Sequence, residues 1–167
     1  MSSEHEQWMK MASPGAHHEI LKRMEGTFDS KAQFWMAPGA PPMDSTGRMV
    51  NSLLLGGRVL EHRYKGTMMG SVFEGWGSLS FDNISQTYTG VWMDTMSTLL
   101  QVHTGPVGAD PNVLDLRGEF TLPMGTIKSR HVTRVVDRDR MVFEIHQSRG
   151  GQPEALIGRI EYTRVTG

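Results

Sequence analysis

The stretch that most constrains the fold runs from Leu53 to Asn83 and reads LLLGGRVLEHRYKGTMMGSVFEGWGSLSFDN. Two segments whose residues alternate with a period near two, 58–66 and 72–81, flank a short loop at 67–71. A glycine pair at one end and Asp-Asn at the other favour tight turns, because these residues tolerate the backbone angles that turns need. The stretch therefore predicts a β-hairpin with a turn at either end.

The same alternation recurs, with variation, from residue 26 to the end of the chain. It divides this part into about ten strands, and short turns between successive strands favour up-and-down connectivity. Strands with one apolar face need a second layer or closure, and closure also removes exposed sheet edges. We expect an all-β protein, an antiparallel up-and-down β-barrel of about ten strands.

The N-terminal region has a different character. Residues 1–13 are polar and unpatterned, which predicts a flexible N-terminal arm, and residues 14–167 are expected to form a single β-barrel domain. Ser13 and Pro14 suit the N-cap and first position of a short helix, and Gly26 suits its end. This helix is expected to cap one end of the barrel.

Composition excludes several classes of function. The formal net charge is −1 and no basic stripe is present, so no nucleic-acid partner is predicted. The N-terminus lacks the apolar region of a signal peptide, and no segment is apolar over a length that could span a membrane. With no cysteine, the chain has neither disulfides nor thiolate chemistry, which favours a reducing compartment and a cytoplasmic location.

Alternation also names the polar residues that share a face with apolar neighbours and would point into a barrel. They are Asn51, His62, Tyr64, Trp92, Asp94 and His131. The strand at 72–81 is ambiguous, and Glu74 and Trp76 join this set if it faces the other way. Because buried polar groups need partners, we expect these side chains to bond with each other, with water or with a ligand.

Three functions fit such an interior. A largely apolar cavity with a few convergent polar groups is the common form of a small-molecule site, so the first is binding of a small, mostly apolar ligand. The second is an enzyme in which Asp94 or Glu74 works with His62 or His131 as an acid–base pair. The third is a non-catalytic homodimeric interaction module whose core is filled. No sequence motif identifies a catalytic set.

Histidine and methionine are both frequent, with seven and thirteen residues. Neither a metal site nor a cofactor is predicted, because the pair His17-His18 lacks the spacing of a helical metal motif. His103 and His146 are expected to face outward by alternation. The pairs Met68-Met69 and Met93/Met96 fall at predicted turns, where they would form an adaptable apolar mouth or simply fill gaps.

Several segments together resemble the DUF1579 family of bacterial proteins. They are HEILKRMEGTF, FWMAPGAPPMDSTG, the hairpin stretch described above, YTGVWMDTMST and the closing EYTR, and they extend from about residue 18 to 164. The resemblance implies a β-barrel of the lipocalin-like, or calycin, type. It implies no activity and no catalytic residues, because none is assigned to the family.

One feature of that barrel type can be placed on this chain. Gly26-Thr27-Phe28 corresponds to the Gly-x-Trp of lipocalin-like proteins, with Phe28 in place of the tryptophan, and Arg164 corresponds to their late basic residue. Phe28 and Arg164 are therefore expected to form a structural cation–π pair at the barrel floor. In haem-binding members of this superfold an axial histidine lies inside, a position that His62 or His131 would supply here.

Overall fold

The computed structural model describes residues 2–166 as two short helices followed by ten strands. Helix α1 spans Ser3–Ala12, and a 3-10 turn at Ala16–His18 leads into helix α2 at Glu19–Arg23. The strands are β1 Gly26–Phe34, β2 Met43–Leu54, β3 Val59–Met68, β4 Ser71–Asp82, β5 Thr87–Asp94, β6 Gln101–Pro106, β7 Val113–Leu122, β8 Gly125–Val135, β9 Arg140–Arg149 and β10 Ala155–Arg164.

The ten strands form one closed antiparallel barrel in which each strand pairs with its neighbours in sequence. Pairing of β1 with β10, from Phe28 opposite Arg164 to Phe34 opposite Gly158, closes the sheet. Closure satisfies the backbone groups that an edge strand would expose. The predicted fold class, an up-and-down barrel of about ten strands with a helix at its N-terminus, is confirmed.

The hairpin that was evident in the sequence consists of β3 and β4. Its strands pair from Val59 opposite Ser80 to Met68 opposite Ser71. The connecting turn is only Met69 and Gly70, both at positive φ. Two positive-φ residues make the tight turn whose twist matches a hairpin, and the glycine lowers its strain. The predicted loop at 67–71 is thus shorter than the sequence suggested.

Helix α1 lies within the segment that was predicted to be an arm without regular structure. Ser2 caps it by accepting a hydrogen bond from the His5 amide, and none of its side chains is buried. Its C-terminal end is tied to the barrel, because Asn83 donates to the carbonyls of Lys10, Met11 and Ser13. The arm is therefore helical over most of its length, while its flexibility stays a prediction.

Helix α2 covers one end of the barrel, as the sequence predicted, but it begins later. Ser13 ends α1 instead of capping α2, and the 3-10 turn takes up the residues in between. Ile20, Leu21 and Met24 are buried against the barrel core. The short helix is held in place mainly by this apolar contact, since its own length is too small for independent stability.

Arg164 closes the barrel beside α2. Its guanidinium carbon lies 4.6 Å from the centroid of the Phe28 ring, the cation–π contact that the sequence predicted. The same guanidinium donates to the carbonyls of Glu25, Arg23 and Arg138. A side chain on Gly26 would collide with it, because a Cβ there would lie 2.2 Å from Nη1 of Arg164.

The strand order gives the barrel two ends, which we call the helix end and the far end. The loops at the helix end are 24–25, 55–58, 83–86, 107–112 and 136–139, and those at the far end are 35–42, 69–70, 95–100, 123–124 and 150–154. Among the described residues, no helix has the length and apolar character of a membrane span.

Candidate functional site

The barrel encloses a cavity of about 340 Å³. Met24, at the end of α2, forms part of its floor, and Met68 and Met96 belong to its wall near the far end. The cavity therefore extends from beneath the helix toward the opposite end of the barrel. Most of its wall is apolar and includes Met49, Leu79, Leu116, Met141, Phe143 and Ile160. The alternative of a filled core does not hold.

Six of the eight residues that the sequence proposed for ligand binding line this cavity. They are Asn51, His62, Tyr64, Trp92, Asp94 and His131. Their strands, β2, β3, β5 and β8, surround the space, so alternation identified a set of residues far apart in sequence that folding brings together.

Glu74 and Trp76 do not line the cavity. Phe73, Leu79 and Phe81 of β4 are buried and face inward, so Glu74 and Trp76, at alternate positions, face solvent. Glu74 lies 3.7 Å from Lys65, and the indole of Trp76, 42% exposed, donates to Glu61 on the outer surface. The glycines of β4 made its inner face ambiguous in the sequence, and the conditional assignment of these two residues to the cavity is wrong.

The inner glycines of β4 make room for Trp92. A Cβ at Gly75 would lie 2.1 Å from the indole, and one at Gly77 would lie 2.9 Å from it. The indole nitrogen donates to Oδ2 of Asp94 at 2.9 Å, and Oδ1 of the same carboxylate accepts from the Met96 amide at 2.9 Å. Both oxygens of Asp94 are therefore used to fix the wall of the cavity near the far end.

Asn51 and His62 form a second fixed unit, near the floor. The Asn51 amide nitrogen donates to the carbonyl of Met24 at 2.9 Å, so its oxygen is the acceptor for Nδ1 of His62 at 2.7 Å. Nδ1 of His62 must then carry the proton, which leaves Nε2 as the acceptor nitrogen of the neutral ring. Tyr64 is fixed in a similar way by Ser30, with 2.9 Å between the two hydroxyl oxygens.

The sequence missed His103, which it placed on the outer face. The side chain is only 2% exposed and stacks on His131, with ring centroids 3.6 Å apart and planes 17° apart. Its neighbour Val102 faces solvent and is 48% exposed. An apolar outward residue beside a polar inward one reverses the usual pattern, so alternation alone could not find His103. The glycines that make room for its ring, such as Gly118, were the available signal.

The three histidines of the cavity are held neutral by their surroundings. Burial lowers the pKa of His62 to about 4 and the pKa of His103 to about 4. Burial, with repulsion from His103, lowers the pKa of His131 to about 3. Tyr162 also lines the cavity, and burial raises the pKa of its hydroxyl. The three imidazole rings and the Tyr162 hydroxyl are therefore uncharged near neutral pH.

The acid–base pair that the enzyme alternative requires is not formed in the cavity. Over residues 2–166, the only histidine within 4.0 Å of a carboxylate is His146, beside Glu144 and Glu154, and it does not line the cavity. His146 thus lies outside the cavity, as alternation predicted. The same residues contain no cluster of three or more histidine and acidic side chains that could hold a metal ion.

Comparison with known families identifies the chain. Residues 13–164 match the model of the family described as Protein of unknown function (DUF1579). The chain belongs to the DUF1579 family. The resemblance inferred from the sequence segments is confirmed, and the match includes α2 and all ten strands. No curated protein matches the DUF1579 chain.

Two solved structures share the barrel of this DUF1579 protein. One is Rv2717c from M. tuberculosis, at 12% identity and a TM-score of 0.65, with 92% of this chain and 100% of that chain covered. The other is the S-type phycobiliprotein lyase CPES from Guillardia theta, at 9% identity and a TM-score of 0.59, with 96% and 97% covered. At such low identities the likeness shows a common fold.

Proposed function

We propose that this DUF1579 protein binds a small, mostly apolar molecule inside its barrel. The cavity carries the proposal: its volume of about 340 Å³ falls within the range of about 300–1,000 Å³ that is usual for ligand sites. A cavity of that size bordered by Leu, Met and Phe side chains forgoes many van der Waals contacts. An apolar molecule would restore them, which is the source of affinity that we propose.

Fixed polar groups in the wall support this proposal. Asn51 holds His62, Ser30 holds Tyr64, and the Met96 amide and Trp92 hold Asp94. Polar side chains fixed in this way orient a ligand without the entropy loss of ordering them on binding. We propose that Asn51, His62, Tyr64, Trp92, Asp94 and His131 orient the ligand, with His103 added to the set.

The far end supplies the entrance in this proposal. Met68 and Met96 border the cavity there, and unbranched methionine side chains adapt to different apolar shapes. Loops 35–42, 69–70, 95–100 and 123–124 contain no charged residue, so an apolar molecule would pass no charged group on them. The absence of cysteine supports a cytoplasmic location as part of the same proposal.

The direct test combines native mass spectrometry of freshly purified protein with titration of N-phenylnaphthylamine, an uncharged dye whose fluorescence rises in apolar surroundings. We expect a co-purifying small molecule or, after its removal, saturable binding of one dye molecule per chain. Absence of both a bound mass and saturable dye binding would contradict the proposal.

A pair of glycine variants makes this test specific to the cavity. A Cβ at Gly90 would meet Leu116 at 3.4 Å, an ordinary contact, so Gly90→Leu should place its side chain in the cavity without breaking the strand. Gly108, which is exposed with no atom within 4 Å of a Cβ, gives the matched control Gly108→Leu. We expect dye affinity to fall at least about tenfold in the first variant and to stay unchanged in the second.

A further inference from the structure

One wall of the cavity carries two imidazole rings whose hydrogen-bonding capacity is unused. His103 on β6 and His131 on β8 stack with ring centroids 3.6 Å apart, and Phe143 packs against the edge of His131 at 5.1 Å. Nε2 of His103 is enclosed and has no hydrogen-bond partner. No hydrogen bond joins the His131 ring to another described residue, and burial is the main cause of its lowered pKa. Buried polar groups are normally paired, so this pair is unusual.

The other titratable groups of the cavity wall each have at least one hydrogen-bond partner, except Tyr162, whose pKa is raised by burial. They are His62, Tyr64, Asp94 and Tyr162. Asn51 holds His62, Ser30 holds Tyr64, and both oxygens of Asp94 accept hydrogen bonds. Among residues 2–166, no lysine or arginine lines the cavity. Because Asn51 engages Nδ1 of His62 and leaves only its Nε2 free, the His103–His131 pair offers the larger unused hydrogen-bonding capacity for a charged ligand.

We propose that the ligand is a carboxylic acid with an apolar body, whose carboxylate binds at the His103–His131 pair together with one proton. This inference rests on the proposed function, because it assumes that the cavity is the binding site. Before binding, the acid is ionised in water and both rings are neutral. On binding, one proton from solvent adds to an imidazole nitrogen, no bond of the ligand breaks, and an imidazolium–carboxylate pair of zero net charge results.

Other head groups fit this wall less well. A permanent cation would find no opposite charge at the His103–His131 pair, because an imidazole ring is either neutral or positive. A doubly charged phosphate would require two imidazolium ions on rings 3.6 Å apart, where like charges repel strongly. An amide could form the same number of hydrogen bonds as a carboxylic acid but would need no proton. A ligand with an amide head group is therefore the most informative comparison for a carboxylic acid with the same apolar body.

The experiment compares naphthoic acid with naphthamide, which share the apolar body, by calorimetry in buffers of different ionisation enthalpy. We expect naphthoate to take up about one proton per molecule bound and naphthamide to take up none. From linkage, naphthoate affinity should fall about tenfold for each unit of pH between about pH 6 and pH 8, while naphthamide affinity stays constant. Naphthoate binding without proton uptake, or with no preference over naphthamide near pH 6, would overturn the inference.

Variants locate the proton. His131→Phe should lose proton uptake and the preference for naphthoate over naphthamide, with naphthoate weakened at least about tenfold. His131→Gln should do the same if the phenyl ring disturbs packing. His146→Phe, on the outer surface, should keep the proton uptake of the unmodified protein. Dye binding without naphthoate preference would overturn this inference and leave the proposed function standing, whereas absence of dye binding would overturn both.

Discussion

The two ends of the barrel differ in how the chain completes them. At the helix end, charged residues occur in four of the five loops, and Arg164 donates to three backbone carbonyls beneath α2. At the far end, only loop 150–154 carries a charge, Glu154, which pairs with Arg130 at 2.6 Å. Methionine instead recurs there, at Met36, Met69, Met96 and Met124.

This contrast separates stability from access. Directional hydrogen bonds to backbone carbonyls fix a structure, since each leaves an unsatisfied group if it is broken. Flexible apolar side chains without charges do not fix one geometry, and they contact apolar molecules of different shape. We therefore expect changes at the helix end to alter stability, and changes at the far end to alter ligand access.

Of the tests below, acid should have the largest effect on the free energy of unfolding. It protonates histidines in the interior that lies between the two ends. His62, His103 and His131 have a lowered pKa in the folded protein, so the unfolded chain binds more protons below about pH 6.5. The stability that their neutral state contributes is present above about pH 6.5 and is lost as the pH falls toward about 4. Urea unfolding should show a loss of up to about 2 kcal/mol for each histidine by about pH 5.

The control for acid is His131→Phe, which removes one of the three groups. As the pH is lowered below about 6.5, the free energy of unfolding of this variant should fall by about 1.4 kcal/mol less per pH unit than that of the unmodified protein. An equal slope in the two proteins would contradict the assignment.

The stability of the helix end should depend on Arg164. Arg164→Ala removes hydrogen bonds to the carbonyls of Glu25, Arg23 and Arg138 and the contact with Phe28. We expect a loss of about 3 kcal/mol in the free energy of unfolding, measured in urea. Arg48→Ala is the control, because its ion pair with Asp29 is more than half exposed, and it should cost about 0.5 kcal/mol. Equal effects in the two variants would show that Arg164 does not hold this end.

Near the far end, the packing of the cavity wall should depend on the absence of a side chain at Gly75. Gly75→Ala would displace the indole of Trp92, which a Cβ would approach to 2.1 Å, and would break its hydrogen bond to Asp94. We expect a loss of about 2 kcal/mol and a shift in tryptophan fluorescence. In Gly90→Ala the new Cβ meets only ordinary contacts, so both quantities should change little. If Gly75→Ala left the fluorescence unchanged, the described packing of Trp92 would be wrong.

The smallest effect on stability, and the most selective, is expected at the rim. Met96→Glu places a charge beside the cavity at the far end, and Leu55→Glu places one at an exposed apolar site at the helix end. Both should change stability by no more than about 0.5 kcal/mol. In stopped-flow mixing with N-phenylnaphthylamine, only Met96→Glu should slow association, by about threefold or more. Slower association in Leu55→Glu alone would place the entrance at the helix end.

Much of the fold was predictable because alternation over ten strands has few physical solutions. The same rule identified Asn51, His62 and Asp94 as cavity residues, since their apolar neighbours face inward with them. The rule failed where a strand position is glycine and has no side chain, and where an apolar residue faces outward beside a polar residue that faces inward. The glycines of β4 left Trp76 unassigned, and outward Val102 concealed His103.

Other features depend on information that no local pattern carries. Helix α1 has no buried face, so it leaves no apolar periodicity to detect, and its C-terminal end is tied to a distant loop by Asn83. The stacking of His103 on His131 joins residues of β6 and β8 that only the closed barrel brings together. Whether the interior is hollow depends on the volumes of many side chains together.

The most direct test of the central claim, that a ligand enters the barrel, is methyl NMR of protein labelled at its methionines. Met24, Met49, Met68, Met96 and Met141 line the cavity from floor to rim, whereas Met9 lies exposed on α1. On addition of N-phenylnaphthylamine, we predict shifts of the five cavity methyl signals and contacts between the dye and Met24 and Met141, with Met9 unchanged. Shifts confined to methionines outside the cavity, with Met24 and Met141 unmoved at saturation, would contradict the account.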